Sequence, residues 1–116
     1  MNHFDAVIIG GGACGLMCAV QAGYLGKKTL VLERNDRLGA KILISGGGRC
    51  NYTNLYTEAE NFISDNPHFC KSAFSQWTVA DTLSFFETYG IEGAEKTLGQ
   101  LFPTTNKAKD IVAVFE

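Results

Sequence analysis

The chain has 116 residues, 46% of them hydrophobic, and a net charge of −2 from ten basic and twelve acidic residues. That length suits one domain, and that apolar content excludes a disordered chain. The mixed charges give no basic face for nucleic acid or a membrane surface. No apolar run nears the ~20 residues that span a bilayer, and the N-terminus lacks a signal peptide's basic region, so a cytoplasmic location is expected.

Asp5-Ala6-Val7-Ile8-Ile9 suits a strand buried on both faces. Gly10, Gly12 and Gly15 follow with the spacing G-x-G-x-x-G. Gly10 permits the tight turn out of the strand, Gly12 leaves room for a pyrophosphate beside the backbone, and Gly15 lets a helix lie close on the sheet. That helix is expected from about Ala13 to Leu25, so the amides around Ala13 and Cys14 open its first turn and face the phosphates. Gly26 is placed to end it. Lys27 and Lys28 suit the negative end of its dipole, or are simply solvated. A second strand, Thr29-Leu30-Val31-Leu32, ends in Glu33, eighteen residues after Gly15 and near the offset of the acid that accepts hydrogen bonds from a ribose. Strand, glycine turn, helix, strand and acid in that order predict a dinucleotide-binding βαβ unit. The acid disfavours a 2′-phosphate, so the nucleotide should not be NADP.

Arg34 either lies against the adenine or ribose edge or is a solvated loop residue. A short apolar run, Ile42-Leu43-Ile44, precedes Ser45-Gly46-Gly47-Gly48-Arg49-Cys50-Asn51-Tyr52-Thr53-Asn54. Three consecutive glycines are costly to order, which favours backbone that approaches a ligand over a flexible linker. Successive amides there can form a nest for anionic oxygens. Arg49 can supply a charge, and Ser45, Asn51, Thr53 and Asn54 hydrogen bonds. A simple NAD site would not need this loop, so it favours FAD.

The four cysteines form no C-x-x-C pair and neither histidine stands at ligand spacing, so no metal site is expected. Cys14 and Cys18 read as small packing residues rather than a redox pair.

Further along, Thr57-Glu58-Ala59-Glu60 has the form of a capping box opening a short helix that includes Phe62 and Ile63. Asn66-Pro67 signals a turn, and His68 to Ser75 looks helical. Thr78-Val79-Ala80-Asp81 opens a helix with Val79, Leu83 and Phe86 on one face, ended by Gly90. Leu98-Gly99-Gln100-Leu101 suits a two-residue hairpin turn. Trp77 and the phenylalanines read as core, and His68 as a loop or cap residue. Asn106 is expected to cap a last helix with Ala108, Ile111, Val112 and Phe115 on its apolar face. That helix runs to Glu116 without a stop signal, as if truncated.

Asp5 to Met17 resembles the FAD-binding start of the BaiN/YhiN-like NAD(P)/FAD-dependent oxidoreductases. Lys41 to Asn51 looks like that family's second motif, and Leu101-Phe102-Pro103 with Asn106-Lys107-Ala108 like a third stretch. Cys14 stands where the family usually has Ala, and Ala40 where it often has Lys. The resemblance implies an α/β fold: a Rossmann-like FAD-binding βαβ unit with short helices and a hairpin. Residues 1–116 would be the N-terminal portion of that domain, incomplete, with the substrate domain lying beyond. Gly10 to Gly15 would hold the FAD pyrophosphate and Glu33 the ribose, with Arg34 nearby. Lys41 and the run Ser45, Gly46, Gly47, Gly48, Arg49, Cys50, Asn51 would pass beside the pyrophosphate and ribityl chain toward the flavin. The implied activity is FAD-dependent hydride or electron transfer, with NAD(P)H as a partner cofactor and an unidentified small-molecule substrate. The 116-residue piece alone is expected to bind FAD weakly or not at all and to be inactive. The other readings are a dinucleotide-binding module without chemistry and an FAD-dependent tRNA-modifying enzyme. Net negative charge speaks weakly against the last, so no nucleic-acid partner is expected.

Overall fold

The computed structural model describes residues 2–116. In chain order the elements are β1 (Ala6–Ile9), α1 (Ala13–Tyr24), β2 (Thr29–Leu32), α2 (Ala40–Ile44), β3 (Thr53–Asn54), α3 (Lys71–Gln76), α4 (Val79–Thr88), β4 (Gly93–Glu95), β5 (Gln100–Pro103) and α5 (Ala108–Phe115), with short 3₁₀ turns at Ser45–Gly47, Ala59–Asn61 and Thr97–Gly99. They divide into two units. One runs to Cys50 and resumes at Lys107–Glu116; the other is Asn51–Asn106.

The first unit is the predicted βαβ. Strands β1 and β2 are parallel, with Ala6 opposite Thr29 and Ile9 opposite Leu32, and α1 makes the crossover. The side chain of Asp5 accepts from the amide of Lys28, and the Asp5 amide donates to the Lys28 carbonyl, both at 2.8 Å, which fixes the register where the strands begin. Helix α1 ends one residue before the expected Leu25. Its last turn closes with the Lys27 amide on the Ala22 carbonyl and the Gly26 amide on Gly23, the paired bonds of a Schellman motif. Leu16 of α1 and Ala108, Ile111 and Val112 of α5 are buried. The run Ile42-Leu43-Ile44, whose conformation its apolarity alone left open, is helical because Gly39 caps α2 from the left-handed region (φ +67) and its carbonyl accepts from the Leu43 amide.

The second unit is a small sheet of order β3-β5-β4, antiparallel throughout, with helices. Its core holds Phe85, Phe86, Leu101, Phe102 and Cys70. Phe86 meets Tyr52 edge-on at 5.0 Å and Phe85 at 5.1 Å, a favoured aromatic geometry. Thr78 and Asp81 form the expected capping box of α4, and the Ile91 amide closes its far end on the Phe86 carbonyl. Trp77 lies at the edge of this core rather than inside it, and its indole N–H donates to the Thr82 hydroxyl at 2.8 Å.

Several local expectations are corrected. The capping box near Thr57 is formed one residue later, by Glu58 and Asn61, and opens only a 3₁₀ turn. Phe62 and Ile63 lie outside it because the backbone at Phe62 is already extended (φ −96, ψ 107). The helix expected from His68 begins at Lys71, after a run of turns. The hairpin between β4 and β5 has the four-residue loop Lys96–Gly99 rather than a two-residue turn. Pairing of Glu95 with Leu101 and of the Lys96 amide with the Gln100 carbonyl places Gln100 and Leu101 inside the strand. Asn106 does not cap α5: it takes a left-handed conformation (φ +56), and Lys107 is the capping residue.

Candidate dinucleotide-binding site

The turn after β1 begins with Gly10, at φ +108, a conformation that a side chain resists. Its amide donates to the Leu32 carbonyl at 2.8 Å and so extends the β1–β2 ladder to the turn. Gly12 caps α1 with no side chain in the cap. A Cβ built at Gly12 would meet nothing within 4 Å, whereas one at Gly15 would collide with the Gly10 carbonyl oxygen. The two glycines thus have different reasons. Gly15 is required by helix–strand packing inside the protein; Gly12 faces open space. Ala13 and Cys14 are exposed at the start of α1, where first-turn amides have no acceptor within the helix. No acidic side chain stands in that turn.

Glu33, at the end of β2, is tied to this turn. Its Oε1 accepts from the Gly11 amide at 2.9 Å and its Oε2 from the Asn35 amide at 2.6 Å. The Asn35 and then the Gly11 amide lower its pKa, partial burial opposes them, and the Arg34 charge adds to the lowering. The carboxylate is therefore ionised, and each oxygen keeps a lone pair for a further donor such as a ribose hydroxyl. Arg34 itself is exposed.

The second glycine loop follows α2 directly. Gly46, Gly47 and Gly48 all take left-handed conformations (φ +56, +67 and +85), and so does Cys50 (φ +59). The loop is largely tied to itself. Ser45 Oγ donates to the Ile42 carbonyl at 2.7 Å, the amides of Gly48 and Cys50 both donate to the Ser45 carbonyl at 3.0 Å, and Arg49 Nε donates to the Gly46 carbonyl at 3.1 Å. Two of the amides expected to face an anion are thus turned inward, because the left-handed run curls the chain back on Ser45. The outer flank is open: a Cβ at Gly47 would meet nothing within 4 Å, so a ligand can approach the backbone closely there. Cys50 is buried, and burial pushes its thiol pKa up while the Ser45 hydroxyl lowers it. It is a protonated packing residue, not a thiolate.

Helix α2 joins the two loops. At its start the Gly39 amide donates to the Gly11 carbonyl at 2.7 Å; at its end lies Ser45. Five residues of helix measure about 7.5 Å, so α2 puts the start of the second loop about that far from Gly39, within the same unit. Lys41 is exposed on this helix. Asn51 belongs to the second unit, where its side-chain amide, oriented to suit its neighbours, donates to the carbonyls of Thr53 and Leu101 at 2.9 and 3.1 Å. Sequence reasoning gave no structural role to Gly39, and placed Gly11 in the turn and Ala108 on a helix face without the backbone bonds by which they organise the loops.

The residues present fit an extended dinucleotide: open glycine flanks, a helix N-terminus and an ionised acid in one unit. Among the described residues no cluster of three metal-ligating side chains occurs, and no helix is long and apolar enough to cross a membrane.

The profile of the HI0933-like protein Rossmann domain matches residues 4–116. The chain is 51% identical over 102 residues to the ribosomal RNA dihydrouridine synthase of Escherichia coli K12, covering 88% of this chain and 26% of that protein. The Haemophilus influenzae protein of the same name is 49% identical over 101 residues, 87% of this chain and 25% of that one. The 3-dehydro-bile acid delta(4,6)-reductase of Clostridium scindens is 32% identical over 111 residues, 94% of this chain and 27% of that one. The chain therefore spans about a quarter of the length of these relatives. The expectation of no nucleic-acid partner loses its support, since two of them are named for ribosomal RNA. Its charge argument also weakens: the first unit carries eight basic and five acidic residues, net +3, and the second two and seven, net −5. Two glycine loops joined through α2, an acid closing β2 and a profile match over nearly the whole sequence agree, and the chain belongs to the HI0933-like Rossmann domain family.

Proposed function

We propose that this chain is the FAD-binding segment of a flavin-dependent oxidoreductase whose whole form reduces uridine in ribosomal RNA, with NAD(P)H as electron donor. The observation that carries the cofactor reading is the contrast at the first turn: Gly15 is forced by packing, but Gly12 leaves empty space before the helix amides. A pyrophosphate fits there, bound by the amides of Ala13, Cys14 and Gly15 with the positive end of α1. Glu33 accepts from the adenosine ribose while keeping its bonds to Gly11 and Asn35. The flank of Gly46 to Gly48 admits the remainder of the cofactor to van der Waals distance, and Arg49, Lys41 and Arg34 offset phosphate charge. The flavin, when bound, supplies two-electron hydride chemistry; the chain's residues supply its position and field. Cys50 stays a thiol, because burial raises its pKa.

The higher identity to the two ribosomal RNA enzymes than to the bile acid reductase favours RNA as substrate. The basic excess of the first unit is compatible with an RNA partner, and that substrate implies the cytoplasm. The small-molecule reductase is the second reading, supported by the match over 94% of the chain.

The full-length protein should purify with a yellow chromophore that is released by heat and identified as FAD by mass. Ribosomal RNA from cells lacking the gene should lose a dihydrouridine. Flavin-free protein would sink the cofactor reading; unchanged RNA in the deletion strain would leave the small-molecule reading.

A further inference from the structure

We propose that α5 is the positioning element of the cofactor cleft, acting on both glycine loops at once; the proposal rests on the dinucleotide reading above. The amide of Ala108, the first residue of α5, donates to the Gly48 carbonyl at 2.9 Å and so holds the end of the second loop. One turn further on, Val112 packs on Gly39 so closely that a Cβ there would lie 2.9 Å from Val112 Cγ2. Gly39 in turn donates to the Gly11 carbonyl of the first loop. Ala108 and Val112 are 2% and 4% exposed, so neither contact competes with water. Helix α5 thus grips one loop by a backbone hydrogen bond and the other through the packed Gly39, and sets the spacing between them. Residues Asn51–Asn106 intervene in sequence between Gly48 and Ala108, so the bond also joins the two strands of chain that lead into that unit. Both residues act through loop backbone, Ala108 on Gly48 and Val112 on Gly39 and through it on Gly11.

Ala108→Pro in the full-length protein is the test. The first helical residue is where proline is best tolerated, and Lys107, at φ −126 and ψ 114, already has the extended conformation proline demands of its predecessor. The donor to Gly48 is removed, and the ring Cδ, which takes the place of the amide hydrogen, pushes the Gly48 carbonyl away. Amide exchange across residues 45–50 of the FAD-free protein should rise by up to about tenfold, and FAD should bind up to about tenfold more weakly, the scale of one lost hydrogen bond. Ile111→Val, which trims the buried face of the same helix, should leave exchange in that loop unchanged. If the proline variant does not fold, Val112→Ala replaces it, with faster exchange of the Gly39 amide and weaker FAD binding expected. Wild-type exchange in a folded Ala108→Pro protein, or equal loosening by Ile111→Val, overturns the proposal. Exchange is read without flavin, so a wild-type protein that binds none would defeat the cofactor reading and leave this test standing.

Discussion

The amide of Gly11 donates to Oε1 of Glu33 at 2.9 Å across twenty-two residues of sequence. One carboxylate locks the glycine turn against the end of β2, and on the proposed cofactor reading its charge also faces the ribose. Replacing Glu33 by Gln keeps the shape and removes the charge. FAD affinity of the full-length protein should fall by about one to two decades, as expected when a charge-assisted hydrogen bond is lost. An unchanged dissociation constant by fluorescence titration would remove Glu33 from the site.

The same carboxylate makes stability depend on pH. Its folded pKa is lowered by the Asn35 and Gly11 amides, so its contribution is fully present above the ordinary carboxylate range and is lost as pH falls through the lower folded value. Melting temperatures of wild type and Glu33→Gln should differ most at neutral pH, and the gap should narrow as pH falls below the ordinary carboxylate range. A gap that stays constant into strong acid would contradict the assigned hydrogen bonds.

Gly12 and Gly15 should respond in opposite ways to alanine. At Gly15 the new methyl collides with the Gly10 carbonyl, and a loss of about 3 kcal/mol or more is expected, the scale of severe core overpacking. At Gly12, with φ −85 and open space, the methyl should change stability by less than about 1 kcal/mol at the cap position while abolishing FAD retention. Denaturant melts together with flavin content separate the two; a Gly12→Ala protein that keeps its flavin would refute the pyrophosphate assignment.

The cysteines should divide by burial. Cys14 and Cys18 are exposed, Cys50 and Cys70 buried. In the FAD-free protein at pH 8, iodoacetamide should label the first pair within minutes and leave Cys50 unmodified, because burial keeps its thiol protonated. Mass mapping of the labelled peptides gives the answer, and early labelling of Cys50 in the folded protein would mean that the second glycine loop opens.

In the second unit, Thr78 accepts from the Asp81 amide and caps α4. Thr78→Ala should cost about 1 kcal/mol, measured by thermal melt, whereas the same change at Thr88, outside any cap, should cost less.

The βαβ unit was legible from one dimension because its signals are local: an apolar run, glycines at fixed spacing and an acid at a fixed offset each report a constraint within a few residues. Helix α4 was legible for the same reason, through its capping box. The hairpin loop was misread because Gly99 suggested a tight turn, while the pairing of Glu95 with Leu101 sets the real one. Asn106 looked like a cap by residue type, yet the chain direction needed there put it in the left-handed region and passed the role to Lys107.

What the sequence by itself determined was the family, the dinucleotide turn and the acid that serves it, since those depend on residue type and spacing alone. Only the tertiary structure decided that the second glycine loop spends two amides on Ser45, that Cys50 is shut inside, and that α5, more than fifty residues downstream of that loop, holds Gly48 and Gly39 in place. The physical reason is that backbone hydrogen bonds and close packing carry no residue-type signature. Every residue but proline can offer an amide, and which amide meets which carbonyl is settled only when distant segments pack together.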